Sequence, residues 1–231
     1  MTVSQGEDAS ERWDGPVGDT PGDLGFTDRQ VRFAGRIWSV ATDVVHFASG
    51  DAARDVLLHP GAVAVMALDD EERVLLIRQY RHPVGAWLFE PPAGLLDAPG
   101  EHPWHTAQRE LAEEAGYQAR SWHALLDTYL TPGGSSEAIR IYLARDVHPL
   151  EGGRIHTGEA EEAHLPRVWV RLDEAVELVL GGRIGSPTAV LGILALQAAR
   201  ARGWQDLRDA ETPWPARDAL IASSRLPSDL R

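Results

Sequence analysis

GLLDAPGEHPWHTAQRELAEEAGY, from Gly94 to Tyr117, is the stretch around which this chain is organised. Glu110, Glu113 and Glu114 stand at positions i, i+3 and i+4, which places three carboxylates on one face of a helix. Like charges at this spacing destabilise a helix unless a counter-charge compensates them. A hard divalent cation such as Mg²⁺ or Mn²⁺ prefers carboxylate oxygens and would supply that charge. The alternative for such a triplet is an acidic, solvated helix face.

Four neighbouring features favour the metal site over a plain acidic surface. Arg109 adjoins the triplet, Glu101 lies eight residues before it, Gly116 suits a left-handed helix end, and Gly94 stands upstream. The stretch resembles the Nudix box, G-x5-E-x7-R-E-U-x-E-E-x-G-U with U a bulky apolar residue, at Glu101, Arg109, Glu110, Leu111, Glu113, Glu114, Gly116 and Tyr117. Six residues rather than five separate Gly94 from Glu101, and the extra residue precedes the helix. The carboxylate spacing is therefore unchanged.

The composition fits a globular protein without a general surface for polyanions. The chain has 231 residues, 43% of them apolar, and a net charge of −13, which argues against a general nucleic-acid or anionic-membrane surface. It has no cysteine, which excludes disulfides and thiolate metal sites. No apolar run reaches membrane-spanning length, and the acidic N-terminus does not resemble a signal peptide. We expect a cytoplasmic protein.

Changes in composition divide the chain into four segments. Residues 1–25 are rich in Gly, Asp, Ser and Pro and predict a mobile tail. Residues 26–60 alternate strand-forming runs with turns, which predicts a small antiparallel sheet. Residues 61–204 form the predicted catalytic domain, and residues 205–231 form a tail whose apolar patches leave packed and loose arrangements open.

The catalytic segment predicts an α/β fold. GAVAVMAL at 61–68 and RVLLIRQY at 73–80 are strand-length apolar runs around an acidic turn, which predicts a hairpin in a buried sheet. Strands before and after one connecting helix, with a final helix from Pro187 over the other face, predict an α/β/α sandwich. The Nudix fold that the box implies, a mixed sheet between helices, agrees with this prediction.

Sequences flanking the box resemble the ADP-ribose pyrophosphatase subfamily. Glu90-Pro-Pro-Ala-Gly94 is similar to its E-x-P-A-G entry, and Gln79-Tyr-Arg81 to its Q-Y-R strand end. Pro132 lies sixteen residues after Gly116, where the subfamily carries a proline, and residues 133–137 resemble its mobile catalytic loop. The opening strands resemble the small sheet that the subfamily exchanges across a homodimer. A small sheet is marginal alone, which also favours a partner subunit.

The resemblance implies roles for particular residues. Glu110 and Glu114 would be metal ligands, with Glu113 sharing in the site, the Ala93 carbonyl as a further ligand, and Glu101 either joining through water or orienting Arg109. Glu137 is the candidate general base, with a surface loop glutamate as the alternative.

Substrate contacts are implied at four further positions. Arg81 would bind phosphate or the terminal ribose, and Glu90 would accept a sugar hydroxyl. The backbone at Gly94 allows a close approach, and Trp38 would stack on adenine across the dimer. The alternatives are a surface charge for Arg81 and a packing role for Trp38. The histidines form no ligand pair and are interpreted as ordinary polar positions.

The implied activity is Mg²⁺-dependent hydrolysis of ADP-ribose to AMP and ribose 5-phosphate. Another Nudix hydrolase, acting on a nucleotide sugar such as GDP-mannose or on a damaged nucleoside triphosphate, is one alternative. A non-catalytic ADP-ribose-binding regulator on the same fold is the other, although such proteins usually lose carboxylates that this chain retains.

Overall fold

The computed structural model describes residues 13–22, 24–155 and 165–227, so residues 1–12 and 23 of the predicted mobile tail lie outside the described residues. The strands are β1 (Phe26–Ala34), β2 (Ser39–Phe47), β3 (Gly50–Leu58), β4 (Ala62–Ala67), β5 (Arg73–Arg81), β6 (Ala86–Glu90), β7 (Ala93–Leu95), β8 (Tyr117–Tyr129), β9 (Ala138–Pro149), β10 (Arg167–Arg171) and β11 (Arg208–Asp209). The helices are α1 (Pro103–Glu110), continued by a π-helical turn (Leu111–Ala115), α2 (Leu172–Leu180), α3 (Pro187–Ala201) and α4 (Pro215–Ala222). No helix in the described ranges has the length and apolarity to cross a membrane.

A five-stranded mixed sheet lies at the centre of the molecule, in the order β11-β8-β9-β4-β7. β4 and β9 are parallel, and the other neighbours are antiparallel. All six residues of β4 are buried. Successive side chains of a strand point to opposite faces, so Ala62, Ala64 and Met66 join one apolar cluster while Val63, Val65 and Ala67 join another.

Each of the two apolar clusters is covered by helices. The first cluster takes in α2 and α3 through Leu172, Ala175, Ile193 and Leu196. The second takes in α1 and the π-helical turn through Ala107, Leu111 and Ala115. The predicted α/β/α layering around a mixed sheet is therefore confirmed.

The predicted β4–β5 hairpin exists only at its closed end. A turn joins the two strands, where the Asp69 N–H donates to the Arg73 carbonyl over 3.0 Å and Leu68 forms an isolated bridge with Val74. Beyond the bridge the strands separate, and β5 pairs with β10 and β6 in a second, three-stranded antiparallel sheet. β4 and β5 are both apolar runs, so their composition did not distinguish pairing with each other from pairing in two separate sheets.

The predicted N-terminal antiparallel sheet is present, with strand order β1-β2-β3. The last strand leads directly into β4 and bonds to the loop before β9. The Leu57 N–H donates to the Gly134 carbonyl over 2.9 Å, and the Ser136 N–H donates to the Leu57 carbonyl over 3.0 Å. This loop, interpreted from sequence as mobile, is held by backbone hydrogen bonds in this structure.

The described part of the C-terminal segment is packed against the domain. Trp214 is buried in the cluster beneath α1, with the Arg140 guanidinium 4.9 Å from its ring centre. Arg140 is itself buried, pairs with Asp127 at 2.6 and 2.9 Å, and donates to the carbonyls of Thr212 and Pro213. Of the two arrangements left open by the sequence, the packed one is therefore present.

Candidate active site

The Glu110 helix ends in a widened turn beside β7. α1 runs to Glu110, and the π-helical turn carries Glu113 and Glu114 before Gly116 ends it at φ +71°. Glycine favours this left-handed conformation, as the sequence predicted. π-helical turns inside α-helices are frequent at functional sites.

Arg109 joins three of the four carboxylates of the box. Its Nη1 donates to Glu110 Oε1 at 2.7 Å and to Glu113 Oε2 at 3.1 Å. Its Nε and Nη2 donate to the two oxygens of Glu101 at 3.2 and 3.1 Å. One guanidinium therefore provides the counter-charge for three carboxylates, whereas the sequence indicated a single carboxylate partner.

These contacts shift the pKa values of the groups involved. Hydrogen bonds from Arg109 lower the pKa of Glu101 against the opposing effect of burial, and the Thr106 hydroxyl, 2.9 Å from Glu101 Oε2, adds to the lowering. The hydrogen bonds to Glu101 raise the pKa of Arg109 in turn. Glu101 is thus held as a carboxylate and Arg109 as a cation.

The fourth carboxylate binds the backbone of β7. The buried Glu114 accepts a hydrogen bond from the Ala93 N–H at 2.8 Å. Glu110, also buried, lies against Gly94, where a Cβ would be 2.5 Å from Glu110 Cγ and closer still to its carboxyl group. Only glycine leaves room for Glu110 here, which gives Gly94 a steric role in the box.

The donor chemistry of this site fits a hard divalent cation. Within the described ranges, no three acidic or histidine side chains already surround one point as metal ligands would. Arg109 lies among Glu101, Glu110 and Glu113 and forms an ion pair with each of them. The side chains of Glu110 and Glu114 beside β7 present carboxylate oxygens, the type that Mg²⁺ and Mn²⁺ prefer. The ligand assignments from sequence stay predictions.

Arg81, Glu90 and Glu137 form a second charged group. Arg81 donates to Glu90 Oε2 through Nε at 2.9 Å and through Nη2 at 2.6 Å. Glu90 is buried, whereas the Arg81 side chain is 43% exposed and can reach a ligand. Burial raises the pKa of Glu137, while the positive charge of Arg81 opposes that shift. Arg81 therefore acts on both carboxylates.

Sequence reasoning missed His59 as a neighbour of Glu137. Its Nε2 lies 3.8 Å from Glu137 Oε1, and burial lowers the pKa of His59 to about 4. The parallel pairing of β4 with β9 brings these residues together from distant parts of the chain. No local pattern links them, and only a correct strand pairing could have revealed the contact.

Trp38 lies at one end of the N-terminal sheet. It precedes β2, is 39% exposed, and its ring centre lies 6.0 Å from that of Phe33. Ser39 pairs with Leu58, so Trp38 is at the same end of the N-terminal sheet as the start of β4. The structure thus leaves a large part of the Trp38 surface free for an external contact.

Comparisons with known proteins place these features in a family. The family model described as "NUDIX domain" matches residues 58–188. An ADP-ribose pyrophosphatase of Mycobacterium tuberculosis is 39% identical over 83% of this chain and 91% of its own length. An ADP-ribose pyrophosphatase of Bacillus subtilis is 34% identical over 73% of this chain and 90% of its own length. A GDP-mannose pyrophosphatase of Salmonella paratyphi B is 31% identical over 60% of this chain and 74% of its own length.

A solved structure gives the same fold. The crystal structure of an ADP compounds hydrolase superposes with a TM-score of 0.64 at 22% identity, over 80% of this chain and 99% of that one. The fold, the box residues gathered around Arg109 and Gly94, and the family match over residues 58–188 agree with one another. The chain belongs to the Nudix hydrolase family.

Proposed function

We propose that this protein hydrolyses the pyrophosphate bond of ADP-ribose to AMP and ribose 5-phosphate in a Mg²⁺-dependent reaction. The observation that carries the proposal is the cluster of box carboxylates beside the β7 backbone. The fold supports many substrates, so ADP-ribose itself rests on the relatives named ADP-ribose pyrophosphatases and on the flanking sequences.

Mg²⁺, or Mn²⁺ in its place, would be held by Glu110, Glu113 and Glu114 with the Ala93 carbonyl, and Glu101 would join through water. When bound, such an ion neutralises phosphate charge and lowers the pKa of a coordinated water. In this proposal Arg109 orients three of these carboxylates, since it already contacts Glu101, Glu110 and Glu113.

Glu137 is the proposed general base. A water oxygen forms a bond to one phosphorus, the bridging P–O bond breaks, and the water proton passes to the Glu137 carboxylate. The raised pKa of Glu137, which burial causes, makes it a stronger base than an exposed glutamate. Arg81 faces it and can bind a phosphate or the terminal ribose through the part of its guanidinium that Glu90 does not occupy.

The remaining substrate contacts belong to Glu90, Gly94 and Trp38. Glu90 would accept a sugar hydroxyl with the oxygen that does not bind Arg81, and Gly94 gives the backbone a close approach to the substrate. Trp38 would stack on adenine from the N-terminal sheet of the other subunit of a homodimer. Exposed apolar side chains on that sheet support this partner surface: Val31, Phe33, Ile37 and Trp38.

Two parts of the assembly proposal have direct tests. The protein should be a homodimer by light scattering, and deletion of residues 1–58 should abolish both dimer and activity. A monomer that turns over ADP-ribose at the full rate would contradict this. A cytoplasmic location stays a prediction, as does independence from nucleic acid, which rests on the acidic composition.

The GDP-mannose alternative is favoured by one observation, the match to a GDP-mannose pyrophosphatase over 60% of this chain. A panel of ADP-ribose, GDP-mannose, NADH, diadenosine polyphosphates and 8-oxo-dGTP with Mg²⁺ separates the candidates. We expect kcat/KM for ADP-ribose to exceed each other value by about tenfold or more. A higher kcat/KM for GDP-mannose than for ADP-ribose would identify GDP-mannose as the preferred substrate. Binding of ADP-ribose without turnover would identify a non-catalytic regulator.

A further inference from the structure

His59 is buried in the short connection from β3 to β4, and its environment fixes which ring nitrogen carries the proton. The Gly61 N–H donates to His59 Nδ1 at 3.1 Å, so Nδ1 is an acceptor and carries no hydrogen. In the neutral ring the proton must then be on Nε2. That nitrogen is the one that lies 3.8 Å from Glu137 Oε1.

We propose that His59 is a positioning residue for Glu137, and that its Nε2–H directs the Glu137 carboxylate toward the attacking water. The proposal rests on the general-base role proposed above for Glu137. The 3.8 Å separation exceeds a direct hydrogen bond by roughly 1 Å, which a small rotation of the Glu137 side chain can close.

Hydrogen bonds fix the backbone at both His59 and Glu137. The His59 N–H donates to Ser136 Oγ at 2.9 Å, and the Glu137 N–H donates to Ser135 Oγ at 3.1 Å. Ser136 thus ties the His59 main chain to the loop that carries Glu137, and Ser135 fixes the Glu137 main chain within that loop. Only the last bonds of the Glu137 side chain are left to be oriented, and the imidazole is the group beside them.

A neutral donor suits this task better than a cation. Because burial keeps the pKa of His59 at about 4, the imidazole is uncharged near neutral pH. A second cation beside Arg81 would stabilise the Glu137 carboxylate further and weaken it as a base. Arg81 already acts on Glu137 and opposes the rise in the Glu137 pKa, and Arg81 is itself bound to Glu90. His59 can therefore orient the carboxylate without adding charge.

Two substitutions separate positioning from a structural role. Asparagine at position 59 places an amide oxygen near the Nδ1 position, so His59→Asn keeps an acceptor for Gly61 but loses the donor to Glu137. Glutamine places its amide nitrogen near the Nε2 position, so His59→Gln keeps the donor and loses the acceptor. We expect His59→Asn to lower kcat roughly tenfold or more with KM little changed, and His59→Gln to retain more of kcat.

The opposite order, with His59→Gln the more damaged, would assign His59 to structure and overturn the proposal. In a Glu137→Gln background, His59→Asn should cause no further loss of kcat, and a full additional loss also overturns the proposal. The control is His46→Asn, which removes an exposed histidine paired with Asp51 far along the N-terminal sheet and should leave kcat unchanged.

A second measurement keeps the test independent of the general-base assignment. The carboxyl carbon-13 resonance of Glu137 should shift between wild type and His59→Asn, because the imidazole N–H beside the carboxylate is removed. If Glu137→Gln keeps full kcat, the general-base role of Glu137 fails. The carbon-13 resonance then tests by itself whether His59 orients the Glu137 carboxylate. An unchanged resonance in His59→Asn would then refute any positioning by His59.

Discussion

Gly94→Ala tests whether the glycine of the box exists to make room for a carboxylate. The new Cβ would lie 2.5 Å from Glu110 Cγ, a distance at which one of the two groups must move. Gly94 is fixed in β7, paired with Val63 of the buried β4, so the Glu110 side chain is the part that moves. It would lose its 2.7 Å ion pair with Arg109 and its place beside the β7 backbone.

The expected effect on turnover is large and the effect on stability is small. Displacing one proposed ligand carboxylate should remove about 3–4 kcal/mol of transition-state stabilisation, which corresponds to a loss of ~10²–10³-fold in kcat/KM. Because only one side chain has to rotate, we expect unfolding to become easier by about 1 kcal/mol, which lowers Tm by roughly 2–4 °C for a chain of this size. The variant should thus be folded and nearly inactive.

The assay is ADP-ribose turnover over a Mg²⁺ titration, with Tm measured on the same samples. Gly185→Ala is the matched control, since a Cβ at Gly185 meets nothing within 4 Å. Combining Gly94→Ala with Glu110→Gln should give little more loss than Glu110→Gln alone, because both changes act through one carboxylate. Normal turnover in Gly94→Ala, or full additivity in the double variant, would refute the steric reasoning.

Four further predictions follow from other parts of the structure. Glu114→Gln should lower kcat by orders of magnitude with Tm little changed, and near-normal turnover or full activity in excess chelator would contradict the metal assignment. Arg140→Met breaks a buried pair with Asp127 and should cost about 3–5 kcal/mol in urea unfolding, whereas a loss near zero would show that the pair is dispensable. The activity should fall as the pH drops through the pKa of Glu137, which burial raises above 4.5, and Glu137→Gln should lower kcat and lack this acid limb. Trp38→Ala should mainly raise KM for ADP-ribose, and an unchanged KM would return Trp38 to packing alone.

Asp127 and Glu137 change the stability of the fold with pH in opposite directions. Burial disfavours the ionised form of Asp127, but hydrogen bonds from Arg140 and Arg208 outweigh it, so the pKa of Asp127 is lowered below 3.8. Asp127 therefore stabilises the fold at and above pH ~4, and this contribution is lost as the pH falls through its folded pKa. Glu137, with a raised pKa, favours the folded state in acid and loses that contribution as the pH rises.

Local sequence patterns were sufficient to predict the features that depend only on residues close together in the chain. The box residues, the left-handed end at Gly116 and the apolar run of β4 each have a cause within about one helical turn or one strand. The α/β/α layering followed from these because a strand that is apolar at every position needs cover on both faces.

The features that sequence missed depend on long-range contacts. β5 leaves β4 after a single bridge because β10, nearly a hundred residues later, provides its partner strand. Arg140 is buried only because Asp127 and the carbonyls of the C-terminal segment meet it inside the fold. No local sequence pattern around β5 points to β10 as its partner strand. None around Arg140 points to Asp127 or to the C-terminal segment as its partners.

The link between the N-terminal sheet and Glu137 has a consequence for how the dimer should be tested. β3 bonds through Leu57 to the loop before β9, and two residues later His59 lies beside Glu137. Deleting the N-terminal sheet therefore removes the backbone support of Glu137 together with any partner contact, and both losses would abolish turnover. Point substitution of Trp38 leaves Leu57 and its hydrogen bonds in place, so a rise in KM at constant kcat, in a variant that is still a dimer by light scattering, reports on substrate stacking.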